Sequence, residues 1–293
     1  MKRTPITHRL LMVVLTGAML VGVNACTSLT GQQQSVGSTQ LQESARQGDA
    51  KSQYQLGLQY TSGEFQDYKK AAKWFRKAAR QGDQGAQYML GITYYVGRGL
   101  PRDYAKARNW FQKAADQGHA RAQYQLGEIY MNGRGADKEP AWAALWYGKS
   151  AEQAHAEAQF SLGVAFASGL GLPVNRVRSC QWLMLAEKSS HATAGAVREM
   201  ICTALSSEQQ MRAEKLATNW RKRVYPPYKD PATQRYIQFI LQQRGYDVGY
   251  VDGVYGEQTR NAVEKYLNNS GTDSESVPTK NLVKRLRKDA RSL

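Results

Sequence analysis

DQGAQYMLGITYYVGRGLPRDYAKARNWFQKAADQG, residues 83–118, decides how this chain folds. Ala86, Leu90 and Tyr94 fall at i, i+4 and i+8, one face of a helix. Asp83 stands where an N-cap belongs, offering an oxygen to the free amides of the first turn. Gly97 and Gly99 supply the positive φ angles that end a helix and turn the chain. Pro101 and Asp103 then open a second helix, with Tyr104, Ala107, Trp110 and Ala114 at helical spacing, and Gln117-Gly118 closes it. The stretch is a helix–turn–helix pair.

The pair is repeated. QYQLG at 53–57 returns at 123–127, with QYMLG at 87–91 between them and QFSLG at 159–163 after. Gly91, Gly127 and Gly163 are 36 residues apart, as are Trp74, Trp110, Trp146 and Trp182; the first unit lacks two residues in its turn. Helices this short are marginal alone. Each unit must bury its stripe against its neighbours, so a fixed period of this size means a solenoid. Glycine inside a helix costs about 1 kcal/mol against alanine. Its recurrence predicts a close helix approach, with the Trp column filling the space between units.

Columns that stay constant, such as Gln53/Gln87/Gln123/Gln159 and the Leu and Gly that follow, read as packing. Columns that vary are free for a partner, and Met89, Ile92, Tyr95, Gln125 and Met131 are the candidate contacts. If they are buried they are ordinary core. His119, His155 and His191 continue the column of Asp49 and Asp83. At about 10 Å per stacked unit they cannot share one ion, so they read as helix N-terminus residues and no metal or cofactor is expected. The third unit departs from the pattern, with Pro140 in place of Tyr and an extra Trp142. Proline is tolerated in a first turn, so the helix should persist with a different surface. Residues 191–220 read as a degraded fifth unit, capped at Ser206 or Ser207. Cys180 and Cys202 lie on facing helices about the turn near residue 191; in an oxidising compartment they should pair, the alternative being two buried thiols.

On these residues the stretch from about 41 to 190 resembles the Sel1-like repeat, a relative of the tetratricopeptide repeat. The resemblance implies an all-α, right-handed α-solenoid acting as a protein-binding scaffold.

The first residues set the compartment. Lys2, Arg3 and Arg9 precede an apolar run to Val23, at about 14 residues shorter than the roughly 18 to 20 that span a bilayer. This reads as a secretory signal over 1–25. Val23-Asn24-Ala25-Cys26 resembles the lipobox of bacterial lipoproteins, which implies acylation of Cys26 and a membrane anchor. Thr27 after the Cys resembles the pattern sorted to the outer membrane. Residues 26–40 are a polar tether, the solenoid runs 41–220, and RKRVYPPYKDP at 221–231 is a basic linker.

Residues 232–293 leave the repeat. Ile237, Phe239, Ile240 and Leu241 mark one helix, Ala262, Val263, Tyr266 and Leu267 a second, and 279–288 a third. Gln238, Leu241, Gly245-Tyr246, Asp252-Gly253, Tyr255-Gly256, Thr259 and Ala262-Val263 resemble the three-helix peptidoglycan-binding domain of wall hydrolases, with Leu267 in place of the usual Gln. The resemblance implies wall binding, and Tyr246, Asp252, Tyr255, Thr259 and Arg260 are the candidate contacts, two aromatics for sugar or peptide and an arginine for a stem carboxylate. The alternative is that the Gly and Asp positions only shape the loop and cap the helix.

The net charge of +16 points to polyanionic partners. Export argues against nucleic acid. No HExxH, GxSxG or Cys–His motif is present, so no enzyme is expected. The sequence reads as a periplasm-facing outer-membrane lipoprotein that binds a protein partner through its repeats and peptidoglycan through a small three-helix domain. The alternatives are a surface-exposed host-interaction lipoprotein with a vestigial wall domain, and an unrecognised cell-wall enzyme.

Overall fold

The computed structural model describes residues 39–63, 66–222, 230–270 and 280–291. The signal segment, Cys26, nearly all of the tether and most of the 221–231 linker lie outside them. Among the described residues all regular structure is helical, and no helix is long and apolar enough to cross a membrane.

A short α1 (39–47) precedes four helix pairs: α2 (Ala50–Gln59) with α3 (Tyr68–Arg80), α4 (Gln84–Val96) with α5 (Tyr104–Asp116), α6 (Ala120–Asn132) with α7 (Pro140–Ala151), and α8 (Ala156–Ser168) with α9 (Arg176–Lys188). The cap helices α10 (Ala194–Cys202) and α11 (Ser207–Asn219) pack on α9. The C-terminal helices are α12 (Pro231–Gln243), α13 (Glu257–Asn269) and α14 (Lys280–Ala290). Each helix of a pair packs on its partner and on the next unit, which makes the right-handed solenoid.

The repeated pentad can be assigned residue by residue. Its Gln is the staple between units. Gln87 Nε2 donates to Ala79 O of the preceding helix, and Gln117 Nε2, at the end of the unit's second helix, donates to Gln87 Oε1 (2.8 Å). Gln53 with Gln81 and Gln123 with Gln153 repeat this, and Gln159 takes Ser189 in the fourth unit. The Tyr ring lies against the start of the next unit, stacking on His119 from Tyr88 (4.7 Å) and on His155 from Tyr124 (5.1 Å), with Phe160 on His191 (4.2 Å). The Leu is core.

The Gly admits a ring, but not the expected one. A Cβ at Gly57, Gly91 or Gly127 would lie 2.4–2.6 Å from Phe75, Phe111 or Tyr147, and at Gly163 it would meet Leu183. The partner is thus the residue after each Trp. Trp74 and Trp110 are half-buried on the outer side of their helices, beneath Lys77 (4.4 Å) and Lys113 (4.3 Å). A helix turns about 100° per residue, so the ring that enters at the Gly is not the Trp, although Trp146 and Trp182 of the same column are buried in the later units.

Caps follow the sequence except at His191, whose Nδ1 makes no cap bond because α10 begins after Thr193. Asp83 accepts from Ala86 N and Asp103 from Lys106 N, while His119 and His155 accept through Nδ1 from Ala122 N and Ala158 N. Gly97 and Gly99 take φ of +83° and +78°. Ser206 makes a full capping box with Gln209. Cys180 and Cys202 are joined as a disulfide, with Cα atoms 5.4 Å apart.

Candidate functional site: a socket and two cationic clefts

The third unit differs from the others because it is a socket. Where the first, second and fourth units carry Asp67, Asp103 and Asn175 as caps, α7 begins after Glu139, which makes no cap hydrogen bond. Its carboxylate reaches instead to α14. Arg287 donates through Nε (2.9 Å) and Nη2 (2.8 Å), and Arg291 Nη2 adds a third bond at 2.6 Å. Lys70 and Lys106 are replaced by Trp142, Lys73 and Asn109 by Leu145, and Arg76 and Gln112 by Gly148. These changes replace polar side chains with apolar ones, and at Gly148 with none, on one face of α7, and α12 lies on it. Ala232 fills the space over Gly148, 2.6 Å from where a Cβ would stand. Tyr236 meets Trp142 edge-on at 5.1 Å, and Lys149 holds Asp230, the N-cap of α12, at 2.8 Å. Arg287 also lies over Tyr130 and Trp142 (4.7 and 4.3 Å), where a delocalised cation is stabilised by ring faces.

This arrangement alters the reading of the C-terminal region. Residues Ala232 to Gln238 of α12 are all buried, because the helix packs α13 and α14 on one side and α7 on the other. The region and the solenoid share one continuous hydrophobic core. Burial would raise the Glu139 pKa, but the hydrogen bonds from Arg287 and Arg291 outweigh it and hold the carboxyl below its ordinary 4.5. A depressed folded-state pKa stabilises above the unfolded value and loses that contribution as pH falls through the folded one. The seat should therefore loosen below about pH 4.5. Glu139→Gln should abolish that dependence at a cost on the order of 2 kcal/mol. Denaturant melts between pH 3 and 7 check this, and equal pH slopes in both proteins would refute it.

The other sequence candidates fall into two groups. Met89, Ile92, Tyr95, Gln125 and Met131 are all half-buried, and the four apolar ones pack against the core. Tyr95 meets Tyr104 at 5.1 Å and takes a hydrogen bond from Arg134. In the C-terminal region Gln238 organises the loop. Its Nε2 donates to Asp252 Oδ1, Val254 O and Thr259 Oγ1, and its Oε1 accepts from Gly253 N. Asp252 and buried Thr259 thus shape the loop. Tyr246 and Tyr255 keep part of their surface, and Arg260 is exposed.

Two clefts flank the docked helices. The larger, about 780 Å³, lies between the second and third units and α14; Trp142, Leu145, Trp146 and Val283 give it an apolar wall, and Lys280, Lys284 and Lys288 line its other side. The smaller, about 570 Å³, lies between the cap and the Asp252–Val254 loop, with Arg178, Arg212, Lys215 and Arg235 among its walls. The sequence reading missed both clefts and the socket. The socket had a signal, the loss of polar side chains in three columns of one unit.

Comparison with known proteins agrees with this architecture. Residues 50–83, 85–119, 120–155 and 156–191 match the Sel1 repeat. A Sel1 repeat protein from Oxalobacter formigenes is 32% identical over 55% of this chain and 48% of its own, with a TM-score of 0.51. A protective antigen of uropathogenic Escherichia coli with an SLR fold is 25% identical over 87% of this chain and 56% of its own, with a TM-score of 0.55. The chain thus spans about half the length of these solved structures. No curated protein matches it. The four central helix pairs, residues 50–191, thus match the Sel1 repeat.

Proposed function

We propose that this chain is a non-enzymatic envelope scaffold, lipidated at Cys26 and held at the outer membrane facing the periplasm. It takes a protein partner on its repeats and peptidoglycan on its C-terminal region. The observation that carries the reading is the seat of α12 on α7. A second-helix face of this solenoid already holds a folded helix, with a lysine beside a tryptophan (Lys149, Trp146) gripping the acidic N-cap Asp230. The same Lys–Trp pair recurs on α5 and α3, and α3 carries Lys69, Lys70, Lys73, Arg76, Lys77 and Arg80 and no acid. An acidic partner with apolar anchors suits that face. For the wall, Tyr246, Tyr255 and Arg260 supply the contacts, because Asp252 and Thr259 are occupied in building the loop. The description of the Escherichia coli neighbour as a protective antigen favours a second reading, in which the same open face looks outward to a host.

A photo-crosslinker at Lys113 in intact envelopes should give one discrete protein adduct. Lys73→Glu with Lys77→Glu should reduce it at least about fivefold. An undiminished adduct sinks the partner face. Failure of the full chain to pellet with purified sacculi sinks the wall part, and membrane retention of Cys26→Ser at high salt sinks the anchor.

A further inference from the structure

The smaller cleft has the chemistry of an anion site. Five cationic side chains line it (Arg178, Arg212, Lys215, Arg221 and Arg235) against two carboxylates, Glu152 and Asp252. Both acids have structural partners. Glu152 accepts from Trp220 Nε1 at 3.2 Å and lies 3.8 Å from Arg235, and Asp252 accepts from Gln238 and Val254 N. Arg178 donates to a neutral acceptor, Gln181 Oε1, at 3.0 Å. Burial, and then the neighbouring Arg235, push its guanidinium below the usual range. The cleft is therefore short of negative charge, and burial strengthens every electrostatic interaction inside it. Trp182 and Trp220 meet edge-on at 6.2 Å and form an apolar wall, and the buried Trp182 indole N–H has no acceptor among the described residues. A volume of about 570 Å³ is in the range of small-ligand clefts.

The position is as informative as the charge. Arg178 takes the column held by exposed Lys70 and Lys106 in the first units, but here the cap and the C-terminal loop close around it. Three parts of the fold thus contribute: α9 of the last repeat, α11 of the cap, and α12 with the loop after it.

We propose that this cleft binds a small carboxylate-bearing ligand, its anion on Arg178 and Arg235 and its body against Trp182 and Trp220. The guanidinium fork matches a planar carboxylate, and the indole faces suit a sugar or aliphatic body. The choice of ligand rests on the wall-binding reading, since peptide stems carry free carboxylates; the cleft itself does not.

The test uses the full chain in detergent, titrated by calorimetry and indole fluorescence. The probes are a soluble muropeptide with free stem carboxylates, the same muropeptide amidated, and inorganic phosphate. Saturable binding is expected, at least about tenfold weaker after amidation. A similar loss is expected in Arg178→Gln and in the exposed pair Arg212→Gln with Lys215→Gln, which tests the site without touching buried structure. Equal affinity for the amidated probe, equal affinity for phosphate, or wild-type binding by both variants would overturn the proposal. Pelleting with sacculi alongside indifference to the muropeptide overturns the cleft and leaves the wall reading intact. Indifference to both overturns both.

Discussion

Gly148→Arg, which installs the residue type of the first unit in the third, should lift the C-terminal helices off the solenoid. A Cβ alone at this position would lie 2.6 Å from the Ala232 Cβ, which is fixed to the α12 backbone and cannot swing aside. Alanine would recover about 1 kcal/mol of helix propensity. Arginine adds a chain that must be inserted under α12 or push it away. Overpacking of this kind costs about 3 kcal/mol, at the upper end of its usual range. The penalty falls on one interface, so the effect should be local. Amides of α12 and α14 should exchange faster by roughly two orders of magnitude, at 1.4 kcal/mol per factor of ten, while α2 to α5 keep their protection. Arg76→Gly, the reverse change in the first unit, should leave the C-terminal amides untouched. Unaltered α12 protection in Gly148→Arg would mean that this seat is not what holds the region down.

The solenoid was legible because its information is local and written four times. Asp83, Gly97, Asp103 and Gly118 each act within a few residues of themselves, so caps and turns follow from spacing. The Gly column announced a close approach, but spacing alone could not separate Trp110 from Phe111, which are adjacent and both aromatic. The ring that enters is the one on the core side of the helix, which takes geometry to decide. The C-terminal dock was partly legible. Trp142 and Pro140 marked the third unit as different, but the cause lay in Arg287 and Ala232, far along the chain and outside any period. The clefts were not legible at all. Each gathers side chains from several elements, and nothing in the sequence ties Arg178 to Arg235 or Trp146 to Lys284. The C-terminal motif from Gln238 to Val263 was legible as a pattern, and the structure gives its Gln, Asp and Thr an architectural part in the loop.

Removing the Cys180–Cys202 disulfide should release the cap before the rest of the solenoid. The cap also packs on α9, with Arg198 on Glu187 and Trp220 on Trp182 and Glu152, but the buried cluster around the disulfide is small. Its satellite cluster consists of the two half-cystines, Leu205 and Ala213, with Val177 and Met184 partly buried beside them, while Met200 and Met211 point outward. A cluster so small cannot offset the entropy of ordering two helices. The crosslink spans 22 residues, and by the chain-entropy estimate it stabilises by about 3 kcal/mol. Cys180→Ala with Cys202→Ala should therefore lower the stability of α10 and α11 by about that amount. Hydrogen exchange should show it there first, with α4 to α7 unaffected. Because α11 supplies Arg212, Lys215 and Leu216 to the smaller cleft, and Trp220 follows it, loosening the cap should also weaken the anion site. Reduction of the wild type should reproduce both effects and reoxidation should reverse them. Two alkylatable thiols in protein isolated without reductant, or a cap equally protected with and without the bond, would remove the disulfide from this role and leave α11 held by its packing on α9.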